Sequence, residues 1–165
     1  MEIWDAYKED GSLAGSDLIR GNPIPLGLYH LVCEVLVQHI DGSYLLMQRD
    51  FNKNGYPGMF EATAGGSALK GETPESGAIR ELCEETGIVT KSLSSIYRFI
   101  SKDTIYCGFL CISDCDKSSI ILQKGETISY LWLHKNEFLY FLNSKDYIQA
   151  HRDRLAPYLK RADER

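Results

Sequence analysis

The stretch from Gly66 to Ile88, GSALKGETPESGAIRELCEETGI, dictates a loop, a helix and a sharp turn in that order. Thr73 is suited to cap a helix at its N-terminus, Pro74 to occupy the first helical position, and Gly87 to end it in a left-handed conformation. The predicted helix therefore runs from Pro74 to Thr86. At about 100° per residue, Glu81, Glu84 and Glu85 fall within an arc of about 100°. Gly77, one turn earlier on that face, is expected to leave open space in front of the carboxylates. Ile79, Leu82, Cys83 and Thr86 lie on the other side and are expected to pack on a core.

Three carboxylates in the C-terminal half of a helix are badly placed for the helix alone. The macrodipole disfavours negative charge there by a few tenths of a kcal/mol (roughly) per residue, and like charges at i, i+3 and i+4 repel. A bound cation reverses the sign of both effects. Clustered oxygen ligands that leave positions for water and phosphate suit Mg²⁺ or Mn²⁺. Glu72, just ahead of the helix, and Arg80, just before Glu81, form an opposite-charge pair able to tie the preceding loop to the helix.

Taken together, these residues resemble the Nudix box, G-x5-E-x7-R-E-U-x-E-E-x-G-U with U a bulky aliphatic residue. Gly66, Glu72, Arg80, Glu81, Leu82, Glu84, Glu85, Gly87 and Ile88 match it at every specified position. The resemblance implies a metal-dependent hydrolase that splits a diphosphate linkage in a nucleoside diphosphate joined to another group X. It implies that Glu81, Glu84 and Glu85, with Gly66, make the metal site and that Glu72 and Arg80 support loop and helix. Metal ions in such a site neutralise the diphosphate, lower the pKa of a bound water and hold the attacking and leaving oxygens in line. The general base is either Glu81 or a carboxylate on a separate loop. Glu126, in KGETISYLWL, is the candidate for the second role.

The remaining composition fits one Nudix domain over residues 1–165. The 165 residues, 44% of them hydrophobic, suffice to bury a core. A net charge of −5, with no basic run interleaved with aromatics, argues against a general nucleic-acid binder, whereas a small phosphoanhydride substrate can still bind because a metal supplies the missing positive charge. The five cysteines, Cys33, Cys83, Cys107, Cys111 and Cys115, form an odd set with no signal peptide in view, so a reduced cytoplasm is the expected location. Cys107, Cys111 and Cys115 fall in or near a strand pattern without neighbouring histidines and are read as buried small residues. No apolar run is long enough to span a membrane.

Along the chain, Glu2 to Tyr7 and Ser12 to Arg20 read as an N-terminal β-hairpin, and Gly21 to Gly27 as a connection. His30 to Ile40 and Tyr44 to Arg49 read as strands joined by the Asp41-Gly42 turn, a hairpin signal. Ser92 to Ile100, Thr104 to Ile112 and Thr127 to Leu133 are further strands, and Asn136 to Leu142 and Lys145 to Lys160 are closing helices. The resemblance implies an α/β/α sandwich around a mixed sheet, and it admits a homodimer, as in many members of the family.

The segments EIWDAYKEDGSLAGSDLIRG, LYHLVCEVLV, LLMQR and PGMFEATAGG are similar to Nudix hydrolases of the branch near isopentenyl-diphosphate isomerase. That isomerase is a rival reading, but Thr63 and Ala64 stand where it has its cysteine and neighbouring histidine. His30 does match one of its histidine ligands. A catalytically silent nucleotide sensor is a second rival; such proteins usually lose box glutamates, and none is lost here. For the substrate, Arg49 and Lys53 are candidates for phosphate contacts, and Phe51, Tyr56 or Phe60 for stacking on a base.

Overall fold

In the computed structural model, which describes residues 1–163, the chain runs β1 (Ile3–Tyr7), β2 (Leu13–Ile19), β3 (His30–His39), β4 (Tyr44–Arg49), β5 (Phe60–Glu61), β6 (Ala64–Ser67), α1 (Pro74–Thr86), β7 (Ser94–Ser101), β8 (Thr104–Ser113), β9 (Thr127–Leu133), α2 (Lys135–Phe141) and α3 (Gln149–Asp163). Strands β1 and β2 form the expected antiparallel hairpin; the other seven form one mixed sheet. Its spine is β3, whose apolar run is buried on both faces, as a central strand requires. Leu31, Cys33, Val35 and Val37 face α1 with its Ala78 and Leu82. Leu36 faces the opposite way, with Tyr44, Leu46, Phe138 of α2 and Leu155 of α3. Helices on both faces of a mixed sheet make the α/β/α sandwich.

Helix α1 has the limits its caps specify. Thr73 Oγ1 accepts from Ser76 N at 3.1 Å and Ser76 Oγ accepts from Thr73 N at 2.9 Å, while Gly87 turns left-handed at φ 75° and donates to Cys83 O. Two side-chain expectations for this helix are corrected. Cys83 is exposed. Gly77 is buried rather than open, because a Cβ there would come within 3.1 Å of both Cys33 Sγ and Glu72 Oε2. Its smallness serves the close approach of α1 to β3. Of the three later cysteines, Cys111 is buried while Cys107 and Cys115 are half-buried against the same core.

The Asp41-Gly42 turn forms, with Gly42 N donating to His39 O at 2.9 Å, but β3 and β4 pair in register only at Gln38 and Tyr44. Beyond that rung they diverge around Thr63. Thr63 N donates to Val35 O at 2.6 Å, its hydroxyl donates to Leu45 O at 2.7 Å, and the same Oγ1 accepts from Val37 N at 2.9 Å. One buried threonine thus satisfies backbone groups of both strands and holds them apart. Strand β3 pairs instead with β6 and, in parallel, with β8 from His30↔Thr104 to His39↔Ser113; β4 pairs with β5 and β9.

Helix α3 begins at Gln149, not Lys145. Phe60 N donates to Asp146 O at 2.7 Å and Ile148 N donates to Phe60 O at 3.1 Å, so residues 146–148 lie extended along β5. The sheet edge wins these residues from the helix, and Tyr147 is fully buried there. No helix among the described residues is long and apolar enough to cross a membrane.

Candidate active site

Strand β6 delivers Gly65 and Gly66 to the flank of α1, and both positions need to lack a side chain. A Cβ on Gly65 would lie 2.7 Å from Cys33 O, and one on Gly66 would overlap the Glu81 carboxylate. Glu81 can therefore lie directly on the backbone of residue 66. Arg80 ties the surroundings together. Its Nε and Nη2 donate to Glu72 Oε1 and Oε2 at 2.7 and 2.9 Å, Nη1 donates to Glu81 Oε1 at 2.7 Å and Glu84 Oε2 at 3.2 Å, and Nη2 also reaches Ser67 O at 3.1 Å. Glu72 in turn accepts from Leu69 N at 2.8 Å, which closes the loop before the helix.

These contacts set the charge states. The Arg80 guanidinium, against some desolvation, holds the Glu72 carboxyl below its usual range, and Glu72 foremost raises the pKa of Arg80. Burial pushes Glu81 up, and Arg80 opposes that only in part. Glu85 is buried and is pushed well up by desolvation, then by the charges of Glu61 and Glu81; its backbone donor is Gly65 N at 3.3 Å. Glu84, by contrast, is 45% exposed at its side chain.

Four of the five glutamates singled out in the sequence share one cleft of ≈ 460 Å³: Glu81, Glu84 and Glu85 from α1, and Glu126 from the loop before β9, along with Gly66; Glu72 does not line it. Arg49 and Lys53 also line it. Arg49 Nη1 donates to Glu61 Oε1 at 2.8 Å and its Nε to Gly55 O at 2.9 Å, while Lys53 forms an ion pair with Glu126. Among the described residues no three acidic, thiol or imidazole groups converge to coordinating distance. Arg80 pairs with Glu81 and Glu84, and Lys53 pairs with Glu126. The donor chemistry nonetheless suits a hard divalent cation, since carboxylate oxygens line one cleft and two of those carboxylates are strained by burial as anions.

Some candidates fall elsewhere. Phe51 is 70% exposed and lies against Gly58, and Phe60 packs edge-on with Phe141, so neither lines the cleft. His30 is stacked on Trp4, with centroids 4.6 Å apart, and its Nδ1 lies 3.4 Å from Asp103 O, also outside the cleft. Tyr56 belongs to a second groove of ≈ 370 Å³ with Phe99, Tyr106, Lys102, Asp153 and Arg154. Strand register joins the two. Ser67 pairs with Val32, Val32 with Tyr106 and Tyr106 with Phe99, a row across one sheet face whose first two members line the acidic cleft and whose last two line the groove. Below this row Glu34 accepts from Tyr97 Oη at 2.6 Å and from Arg154 Nε at 2.8 Å, with Arg154 also stacked 4.0 Å over Tyr106.

Sequence reading missed Tyr106, Phe99 and Arg154 as lining residues, and also Glu2 and Arg20, which the hairpin places in the cleft. Alternation along β7 and β8 would have put Phe99 and Tyr106 on a common face only once their pairing was known.

A family model described as the NUDIX domain matches residues 29–156. An uncharacterised Nudix hydrolase of Listeria monocytogenes is 34% identical over 153 residues, covering 90% of this chain and 89% of its own length. A Listeria innocua counterpart is 32% identical over the same shares. Among solved structures, the DR0079 protein of Deinococcus radiodurans aligns with a TM-score of 0.73 at 19% identity, covering 93% of this chain and 99% of its own. The MutT protein of Methanosarcina mazei Go1 aligns with a TM-score of 0.65 at 24% identity, covering 83% and 96%. These two likenesses are of fold.

Proposed function

The chain belongs to the Nudix hydrolase family, and from that premise we propose that it hydrolyses the diphosphate linkage of a nucleoside diphosphate joined to a group X, using Mg²⁺ or Mn²⁺. The observation that carries this reading is the meeting, in one cleft, of three box glutamates with Glu126, a carboxylate 41 residues beyond Glu85 in the chain. Glu81, Glu84 and Glu85, with the backbone at Gly66, would hold the metal. When bound, the metal supplies charge neutralisation of the diphosphate and activation of water. The chain's own residues do the rest. Arg80 and Glu72 fix the loop against α1, so that Glu81 stays on Gly66. Glu126, released from Lys53, is positioned as a proton acceptor at its carboxylate, and Lys53 then becomes a donor for phosphate. Glu81 is the alternative acceptor.

The nucleoside half of the substrate is supported by the groove beside the cleft. Its aromatic walls suit a planar base, and its volume lies within the range of ligand pockets, about 300–1,000 Å³. Lys102, Asp153 and Arg154 in its lining suit a polar base better than an isoprenoid tail. Five free cysteines agree with a reducing, cytoplasmic setting.

Phosphate release from a panel of nucleotides and nucleotide sugars tests the reading. Turnover should require Mg²⁺ or Mn²⁺, cease with chelator, and fall by at least ~10²-fold in both Glu84→Gln and Glu85→Gln. Binding without turnover on every phosphoanhydride would favour a nucleotide sensor instead.

A further inference from the structure

We propose that the N-terminal hairpin, which lies ahead of the residues matched by the family model, completes the cleft with a phosphate-binding residue, Arg20. This rests on the hydrolase reading for its place in a reaction, though not for the site itself.

The cleft has four cations, and three of them are committed. Arg80 is shared among Glu72, Glu81, Glu84 and Ser67 O; Arg49 is held by Glu61 and Gly55 O; Lys53 is paired with Glu126. Arg20 has one side-chain partner among the described residues, Glu2, through Nη1 at 2.8 Å, and its side chain is 65% exposed. An arginine held at one nitrogen keeps the rest of its planar fork for an anion, and that fork matches two oxygens of a phosphate.

Its placement is built rather than accidental. Arg20 N donates to Glu2 O at 3.1 Å, which closes the open end of the hairpin. Glu2 is fixed on both carboxylate oxygens, Oε1 by Trp4 Nε1 at 2.7 Å and Oε2 by Arg20. Trp4 is buried with Ala6 and Leu18, and Leu69 of the loop before α1 packs on them. Lys70 N donates to Ile3 O at 2.9 Å and Gly71 N to Asp5 Oδ2 at 2.7 Å, so the hairpin is bonded to the loop that leads into the catalytic helix. The chain thus holds Arg20 in the same cleft as Glu81, Glu84, Glu85 and Glu126, acids that would otherwise repel a polyanion. The ligand class is a phosphate group of the diphosphate, not the base, because Arg20 lines the acidic cleft and is absent from the aromatic groove.

Calorimetric titration of the full chain with inorganic diphosphate in the presence of Mg²⁺ tests the site without needing turnover. Arg20→Ala should weaken binding roughly 10- to 100-fold, as loss of a charge-assisted hydrogen bond predicts. Arg20→Lys should recover part of it, and the dependence on salt should be shallower in Arg20→Ala. Lys70→Ala removes only the exterior Lys70–Asp17 pair of the hairpin and should bind as wild type. Three results overturn the proposal: equal affinity of Arg20→Ala and wild type, an equal loss in Lys70→Ala, or no diphosphate binding by wild type. A protein that binds diphosphate through Arg20 yet hydrolyses no phosphoanhydride keeps this site and loses the hydrolase reading.

Discussion

Gly66 illustrates how a single hydrogen atom in place of a side chain can govern a site. A methyl group there would displace only the end of the Glu81 side chain, so Gly66→Ala should leave the melting temperature almost unchanged while cutting turnover by about 10²-fold, the loss expected when a catalytic group moves by about 1 Å. A large drop in melting temperature beside the rate would show the glycine to be structural instead. His151 makes a different prediction. It is buried in α3, with Nδ1 3.4 Å from Tyr147 Oη and Nε2 without a partner among the described residues. Burial holds its pKa below the ordinary value against the pull of Glu34 and Glu61. Below about pH 6.5 the unfolded chain therefore takes up a proton that the folded chain refuses, and stability falls as pH drops, by at most ~1.4 kcal/mol per pH unit. His151→Leu should flatten that limb of a urea-melt series between pH 7.5 and 5; an unchanged slope would assign it to other groups.

At the scale of elements, Thr63 decides how the sheet is divided. Thr63→Val keeps the shape of the side chain but removes the hydroxyl, leaving Val37 N–H and Leu45 C=O buried without partners. At about 1–3 kcal/mol for each unmet group, a loss of roughly 2–6 kcal/mol is expected in chemical denaturation, with Thr63→Ser much milder. The position was legible as a departure from the isomerase, where it stands in place of a cysteine. Its work as a splice between two strands was not, because the sequence signal at Asp41-Gly42 reports the turn and says nothing of where the two strands part.

Across the whole molecule, Glu34 and Arg154 join the central strand to the last helix over 120 residues of chain. Both side chains are only 11% exposed. Arg154→Leu strands the Glu34 charge in the interior and should cost about 3–5 kcal/mol, with most of that regained in the Glu34→Leu, Arg154→Leu double variant. If the double variant is no more stable than the single one, the pair contributes through packing rather than charge. Under the proposed function, the same change should weaken binding of a nucleoside diphosphate substrate, since Arg154 lies over Tyr106 in the groove.

From the sequence alone came the box helix with both its ends, the arc of three glutamates, the Glu72–Arg80 tie, the main strands and the sandwich implied by family resemblance. Each is local: caps, turns and periodicity act over a few residues, and a motif of fixed spacing brings its own geometry. Tertiary structure decided that Glu126 joins the box glutamates, that Phe51 stands apart, that Tyr106 and Phe99 line a groove beside the cleft, and that Arg20 reaches the cleft from the hairpin. Those juxtapositions depend on strand order and register, which are set by burial summed over the whole core, and no short stretch of chain carries that sum.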